Sequence, residues 1–379
     1  MPQKEYFGFG AIKNIKQILA KNKPKIIFLV TGQNSYIKSG AKSIFDDCLK
    51  DYNVVHFSDF EENTKLQDVE KGIRLFKKNK CDFVIAVGGG SAMDIAKSIN
   101  ILSENPGNPS DYITNNKIIM KKGKPLVAIP TTSGSGSEAT RFAVVYIDKI
   151  KYSLDHDFVI PDYSIVDPQF TLSLPKNITA SAGMDALSQA IESYWAVNST
   201  DESKKYAKEA IQIIMNNLAV AANNPDKKSR ENMAKASHLA GKAINISKTT
   251  SCHAISYPIT SYFNVLHGHA VALTLGEMLV YNSNVAENDL LDKRGVDYVK
   301  KTIKEINILL NSRTAEDSRI KIKNLMQGIG LSTKLSDFGI KTDSDMNIII
   351  KNGFDPSRVK NNPRELTKQG LKIMLNKIK

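Results

Sequence analysis

Two apolar runs that each end in a loop of small residues constrain this chain most. DFVIAVGGG (Asp82–Gly90) is one, and PLVAIPTTSGSGSE (Pro125–Glu138) is the other. Shorter runs of the same kind are IIFLV (Ile26–Val30) and NVVHF (Asn53–Phe57). Between them lie helical patterns such as LQDVEKGIRLFKKN (Leu66–Asn79). Continuous apolar strands alternating with helices predict a parallel sheet covered on both faces. Ligands of such sheets bind beyond the carboxyl ends of the strands, where both small-residue loops would lie. Phe142–Asp148 and Tyr163–Asp167 read as further strands, and TLSLP (Thr171–Pro175) closes this half.

The pattern then changes. Apolar residues recur at helical spacing from Thr179 to Asn224 and again from Ser229 to Asn245, and helical segments continue to a capped final helix in NNPRELTKQGLKIMLNKIK. The expectation is an α/β nucleotide-binding domain over residues 1–175 and an all-α domain over 176–379. A length of 379 residues suits two domains.

GGGSAMDIAK (Gly88–Lys97) follows a strand and opens a helix. Glycine lets backbone approach a phosphate, and the helix start offers free N–H groups and partial positive charge. The loop is neither G-x-G-x-x-G nor a Walker A sequence, and glycine turns after strands are common without a ligand. The second loop adds hydroxyls at the same sheet edge, and together they suggest a dinucleotide-sized ligand.

The chain has six histidines, and three of them fall in SCHAISYPITSYFNVLHGHA. His253 and Tyr257 share a helix face at i,i+4, and Pro258 is expected to end or kink that helix. His267 returns 14 residues after His253. Upstream, GMDALSQAIESYW (Gly183–Trp195) sets Asp185 and Gln189 at i,i+4. A divalent metal fits Asp185, His253 and His267 with Gln189 as a fourth donor, and mixed N/O ligands suit iron, zinc, cobalt or nickel. Read singly, each histidine is more often a packing or surface residue than a ligand.

Lys+Arg 52 against Asp+Glu 39 leaves a net charge of +13. That balance fits an anionic substrate or a lysine-rich solvated surface. No polybasic tail or reading-helix motif stands out, so a nucleic-acid partner is not expected. The three cysteines, Cys48, Cys81 and Cys252, form no C-x-x-C, which disfavours a disulfide scaffold and a thiolate zinc site and fits a reducing cytoplasm. The start MPQKEYFGFG lacks an apolar leader, and no uncharged run reaches the roughly 18–20 residues of a membrane span. A homodimer is the expectation from the symmetry of soluble oligomers.

The elements FGFGAI, GGGSAMDIAK, IPTTSGSGSE, KYSL at Lys151, DYSIVDPQFTLSLP, ASAGMDALSQAIESYW, HAISYP, HGHAVAL and NNPRELT occur in order along the chain. In these the chain resembles the iron-dependent (group III) alcohol dehydrogenase family over essentially its whole length. KTTSCHAISYPITSYFNVLHGHAVALTL looks most like that family's phosphonoacetaldehyde reductases, also called hydroxyethylphosphonate dehydrogenases. The resemblance implies the dehydroquinate synthase-like iron alcohol dehydrogenase fold: a Rossmann-like domain, a helical domain that binds metal and substrate, and an active site in the cleft between them. It implies that Gly88, Gly89, Gly90 and Ser91 cradle the pyrophosphate, with Asp94 in the same motif. It further implies that Thr131, Thr132 and Ser135 line the cofactor and that Lys151 approaches its ribose. Asp185, His253 and His267 match three of the family's four metal ligands, with Fe²⁺ the first candidate and Zn²⁺, Ni²⁺ or Co²⁺ behind it.

Three departures stand out. Gln189 occupies the place of the usual fourth histidine, and Tyr257 that of a second cleft histidine. Gly32 stands where an aspartate often reads the adenosine ribose, which removes repulsion toward a 2′-phosphate and admits NADPH alongside NADH. The implied activity is reduction of a small anionic aldehyde to a primary alcohol, phosphonoacetaldehyde to 2-hydroxyethylphosphonate in phosphonate biosynthesis. Tyr257 would hydrogen-bond the substrate or donate a proton, and Arg141 or Lys248 would hold its charged end. The alternatives are a general alcohol or semialdehyde dehydrogenase acting on butanal or succinic semialdehyde, a glycerol-type dehydrogenase or dehydroquinate synthase-like enzyme, and a relative that binds nucleotide without catalysis.

Overall fold

The apolar runs of the first half become strands of one parallel sheet. The computed structural model describes residues 3–379. Its strands are β1 (Lys4–Phe7), β2 (Ile26–Thr31), β3 (Asn53–Phe57), β4 (Phe83–Gly88), β5 (Leu126–Pro130), β6 (Phe142–Ile147), β7 (Ile150–Asp155) and β8 (Tyr163–Val166). Six of them lie in the order β1-β8-β5-β4-β2-β3, and each neighbouring pair is parallel.

Alternate residues of the central strands feed two cores. Phe28, Val30, Val84, Ala86 and Ala128 face one, and Ile27, Leu29, Ile85, Val87, Val127 and Ile129 face the other. Burial on both faces is why these strands read as unbroken apolar runs. The helices of this half are α1 (Asn14–Asn22), α2 (Gln33–Lys38), α3 (Ala41–Cys48), α4 (Leu66–Lys78), α5 (Gly90–Glu104) and α6 (Pro109–Ile113). Val69, Ile73 and Phe76 of α4 and Ile95 and Ile99 of α5 cover the first face. Ile15, Ile18 and Leu19 of α1 and Phe45 of α3 cover the second.

Two departures from the expected strand set have local causes. β1 is a short edge strand of mostly exposed residues, KEYF, so it carries no apolar run to read. The Phe142 strand does not join the sheet. It pairs antiparallel with β7, whose IKYSLD sequence gave no strand signal, through a turn at Asp148 and Lys149 where Asp148 takes φ 55°. Tyr146 N–H donates to Thr64 O at 2.8 Å and ties this hairpin to the loop before α4.

The chain divides into two units, Met1–Leu174 and Pro175–Lys379. Among its described residues the second unit is built of helices: α7 (Lys176–Trp195), α8 (Asp201–Asn223), α9 (Lys227–Ser247), α10 (Ser251–Phe263), α11 (His267–Ser283), α12 (Val296–Leu309), α13 (Ala315–Gly328), α14 (Asp343–Asn352), α15 (Pro356–Val359) and α16 (Lys368–Lys377). The helical stretch read from Thr179 to Asn224 is two helices. The chain breaks after Trp195 and restarts at a Thr200–Ser203 capping box. Pro258 does not end its helix either, since α10 continues to Phe263 and stops at Asn264 in the left-handed region. Burial of Ile255, Ile259 and Thr260 on either side of Pro258 holds the helix together against the missing N–H. Among the described residues no helix is long and apolar enough to cross a membrane.

Candidate functional site

Three helices of the second unit bring a carboxylate and two imidazoles together. Asp185 lies in the middle of α7, His253 in the first turn of α10, and His267 at the first position of α11. His253 Nε2 is 3.5 Å and His267 Nε2 4.0 Å from Asp185 Oδ1. One donor atom from each residue lies within 4.8 Å of the others. Metal–ligand bonds of about 2.1 Å at tetrahedral angles place donors about 3.4 Å apart. A hard carboxylate oxygen and two imidazole nitrogens at these separations fit a divalent ion such as iron or zinc.

Local sequence explains the close approach. A Cβ on Gly268 would lie 2.0 Å from Ser181 O and 2.7 Å from Asp185 Cβ. Only glycine lets α11 come this near to α7, and His267 sits immediately before it. His269, on the other side of that glycine, points elsewhere. Its ring nitrogen meets Ser332 O at 2.7 Å and its ring packs edge-on against Phe338.

The sequence reading missed Glu192. It lies two turns beyond Asp185 on α7 and is fully buried. Its carboxylate accepts from Thr250 Oγ1 at 2.7 Å and Cys252 N–H at 2.8 Å, and it contacts His253 Nδ1. Glu192 therefore caps the start of α10 and grips the back of His253 at once. Burial pushes its carboxyl pKa up, but His253 and these hydrogen bonds outweigh burial and hold it below the usual range. An anionic Glu192 keeps the proton on Nδ1 and turns the Nε2 lone pair toward Asp185. The seven-residue spacing in GMDALSQAIE, which returns to the same helix face, was the signal available.

Gln189 is buried on α7 between these two carboxylates. Tyr257 lies one turn after His253, its ring 6.4 Å from that of His267 and nearly parallel to it. Burial raises its pKa, and the nearby Arg358 cation opposes that rise. Lys248 follows the last residue of α9 at φ 62°, and its N–H donates to Ile244 O at 2.8 Å. Arg141 belongs to the first unit, where its charge is met by Asp155 at 2.5 Å and Asp157 at 2.8 Å. That pairing braces the hairpin.

The nucleotide candidates gather in the first unit. The strand order reverses between β2 and β4, which is where doubly wound sheets bind dinucleotides. Gly32 follows β2 and Gly88 ends β4. Gly32 N–H donates to Val87 O at 3.3 Å, and a Cβ on Gly88 would meet Ala92 Cβ at 2.5 Å. Thr131 N–H donates to Gly88 O at 2.9 Å. Cβ atoms on Gly89 and Gly90 would lie 3.3 Å from Thr132 and 3.4 Å from Ser135, so the two small-residue loops abut. Ser91 is in the first turn of α5, and its Oγ accepts from Asn63 N–H at 3.2 Å. Asp94 accepts from Ser137 Oγ at 2.9 Å. Lys97, buried below, donates to the carbonyls of Ser137, Thr140 and Phe142 and fastens the second loop to α5. Lys151 lies on β7 opposite Tyr146.

Residues 2–168 match the family model for iron-containing alcohol dehydrogenase, and residues 179–378 match that for the C-terminal part of the Fe-containing alcohol dehydrogenase family. Long-chain-alcohol dehydrogenase 1 of Geobacillus thermodenitrificans is 35% identical over 285 residues, covering 74% of this chain and 72% of that protein. Phosphonoacetaldehyde reductase of Streptomyces viridochromogenes is 30% identical over 313 residues, covering 80% and 77%. The crystal structure of sulfoacetaldehyde reductase from Bifidobacterium kashiwanohense in complex with NAD+ superimposes with a TM-score of 0.87 at 31% identity, covering 100% of this chain and 97% of that one. With both halves matched in order and the aspartate–histidine constellation in the second, the chain belongs to the iron-containing alcohol dehydrogenase family.

Proposed function

We propose that the protein is a metal-dependent NAD(P)H oxidoreductase that reduces a small anionic aldehyde to a primary alcohol, with phosphonoacetaldehyde as the first candidate. The observation that carries this is the Asp185–His253–His267 constellation, with His253 held from behind by Glu192. The balanced reaction takes one aldehyde, one NAD(P)H and one proton to 2-hydroxyethylphosphonate and NAD(P)⁺. A divalent cation, when bound, supplies Lewis-acid polarisation of the carbonyl. Asp185, His253 and His267 hold it, with Gln189 the neutral fourth donor. Tyr257 offers its hydroxyl to the substrate. The glycine and serine loops around Gly88 and Ser135 hold the pyrophosphate, and Gly32 leaves room for a 2′-phosphate.

Support for the substrate comes from two relatives whose names specify aldehydes with an anionic tail, phosphonoacetaldehyde and sulfoacetaldehyde. A second reading, a general alcohol dehydrogenase, draws on the long-chain alcohol relative at 35% identity. The test is NADPH and NADH oxidation by Fe²⁺-loaded protein with phosphonoacetaldehyde, succinic semialdehyde, butanal and acetaldehyde. A preference of about a hundredfold in kcat/KM for phosphonoacetaldehyde is about 2.7 kcal/mol of transition-state discrimination and supports the first reading. A flat response or a preference for butanal favours the second.

A further inference from the structure

The NNPRELT segment opens with Asn361, which is buried against the link that leads from α9 into α10. Its side-chain amide donates to Ser247 O at 2.8 Å and to Thr249 O at 3.0 Å. Those two carbonyls flank Lys248, whose backbone at φ 62° and ψ 176° lies in a region that is essentially glycine's. A residue with a side chain stays there only where its surroundings over-determine it. The other end of Asn361 faces the link between α7 and α8. Its Oδ1 accepts from Asn198 N–H at 3.0 Å, and its backbone carbonyl accepts from Val197 N–H at 2.9 Å. One side chain thus uses both donors and its acceptor to tie the residues after Trp195 to those before Thr250.

From Thr250, two hydrogen bonds reach the metal constellation. Peptide planarity makes the Thr249 carbonyl and the Thr250 N–H one rigid unit, so a pinned carbonyl sets the approach of Thr250. Thr250 is the N-cap of α10, yet its hydroxyl does not cap that helix. Trp195 Nε1 donates to Thr250 Oγ1 at 2.9 Å, and Thr250 Oγ1 donates to Glu192 Oε1 at 2.7 Å. An indole N–H can only donate, which turns the hydroxyl proton toward the carboxylate. Glu192 in turn contacts His253 Nδ1.

Resting on the reading of Asp185, His253 and His267 as metal ligands, we propose that Asn361 is a positioning residue for His253, acting through Thr250 and Glu192. It holds the link at Lys248 in a conformation that the link would otherwise leave. Without its two donors the link relaxes, Thr250 moves off Glu192, and the His253 ring loses its fixed aim toward Asp185. Partners behind a ligating histidine govern metal affinity in this way.

The test is the Co²⁺ affinity of the full chain, measured by competition with a chelator. Asn361→Ala should raise the dissociation constant about tenfold. Asn361→Asp, which keeps the shape but offers no donor to either carbonyl, serves if the alanine variant does not fold. Asn362→Ala is the control. Asn362 is just as buried, and it exchanges hydrogen bonds with Asn282 at 2.8 and 3.2 Å rather than with the link. Its loss should lower stability and leave Co²⁺ affinity unchanged. Adding Lys248→Gly to Asn361→Ala should restore most of the affinity, because glycine adopts this backbone freely. Lost packing at Asn361 would not be repaired that way. Thr250→Val should weaken binding as Asn361→Ala does, and the two together should be no worse than either alone, since they act on one chain of contacts. Unchanged affinity in Asn361→Ala, or an equal loss in Asn362→Ala, assigns Asn361 to stability and overturns the proposal. A loss that Lys248→Gly does not restore and that adds to the loss in Thr250→Val overturns it as well. A wild type whose Co²⁺ affinity survives both Asp185→Ala and His253→Ala overturns the metal reading itself, and the proposal with it.

Discussion

Glu192 and Asp185 hold His253 from opposite sides. The Glu192 carboxylate contacts Nδ1, and Asp185 Oδ1 lies 3.5 Å from Nε2. Both acids come from α7, so one helix aims the imidazole and supplies its neighbouring ligand. Partners of this kind fix the tautomer and the ring orientation of a ligating histidine.

Glu192→Gln keeps the shape and removes the charge. Metal affinity, measured by competition with a chelator followed by elemental analysis, should fall about 10- to 100-fold. The fold should survive, because the amide oxygen still accepts from Thr250 and Cys252. Unchanged affinity would show that His253 does not depend on this carboxylate.

Gly268→Ala should separate α7 from α11. The added methyl meets Ser181 O at 2.0 Å and Asp185 Cβ at 2.7 Å, and neither is the flexible end of a side chain. Overpacking of this kind costs about 1–3 kcal/mol, and here metal affinity should fall as well because Asp185 and His267 flank the clash. Gly328→Ala is the control, since a Cβ there meets nothing within 4 Å. Denaturant melts should show a loss in the first and little change in the second. Equal effects would mean the close approach is not needed.

Much of this is legible in the sequence, and what is not has physical causes. β2, β4 and β5 announced themselves because both their faces are buried, and the glycines after β2 and β4 marked the place where the strand order reverses. β7 was hidden because five of its six residues are only partly buried or exposed. The Asp185, His253 and His267 set was visible as residue types at suggestive spacing, but its assembly depends on Gly268, whose role is a matter of helix separation. Pro258 was no stop signal, since the buried turns around it carry the helix on to Phe263.

Gly32→Asp should shift cofactor choice. Gly32 has φ −67°, which any residue adopts, and a Cβ there meets Ser35 Oγ at 2.3 Å, a hydroxyl that can rotate away. A carboxylate at this point beyond β2 repels a 2′-phosphate and accepts from ribose hydroxyls. The ratio of NADPH to NADH dissociation constants, read by nucleotide fluorescence, should rise at least about tenfold. A ratio that does not move would place the adenosine ribose away from Gly32.

Lys97 should leave a pH signature on stability. Burial pulls its pKa down from 10.5 to about 8, against the opposing pull of Asp94 and Glu138. Between those two values the unfolded chain binds more protons at this site than the folded one. The Lys97 contribution to stability therefore improves as pH rises from about 8 toward 10.5. Removing the amine in Lys97→Met also leaves the carbonyls of Ser137, Thr140 and Phe142 without their donor, so the variant should be less stable at every pH. The gap between wild type and variant, from denaturant unfolding, should widen between about pH 7.5 and about pH 10, by on the order of 2 kcal/mol. A level gap would mean that folding does not perturb the ammonium. A narrowing gap would mean that Asp94 and Glu138 hold its pKa above that of the unfolded chain, and that the second loop is fastened by a permanently charged lysine.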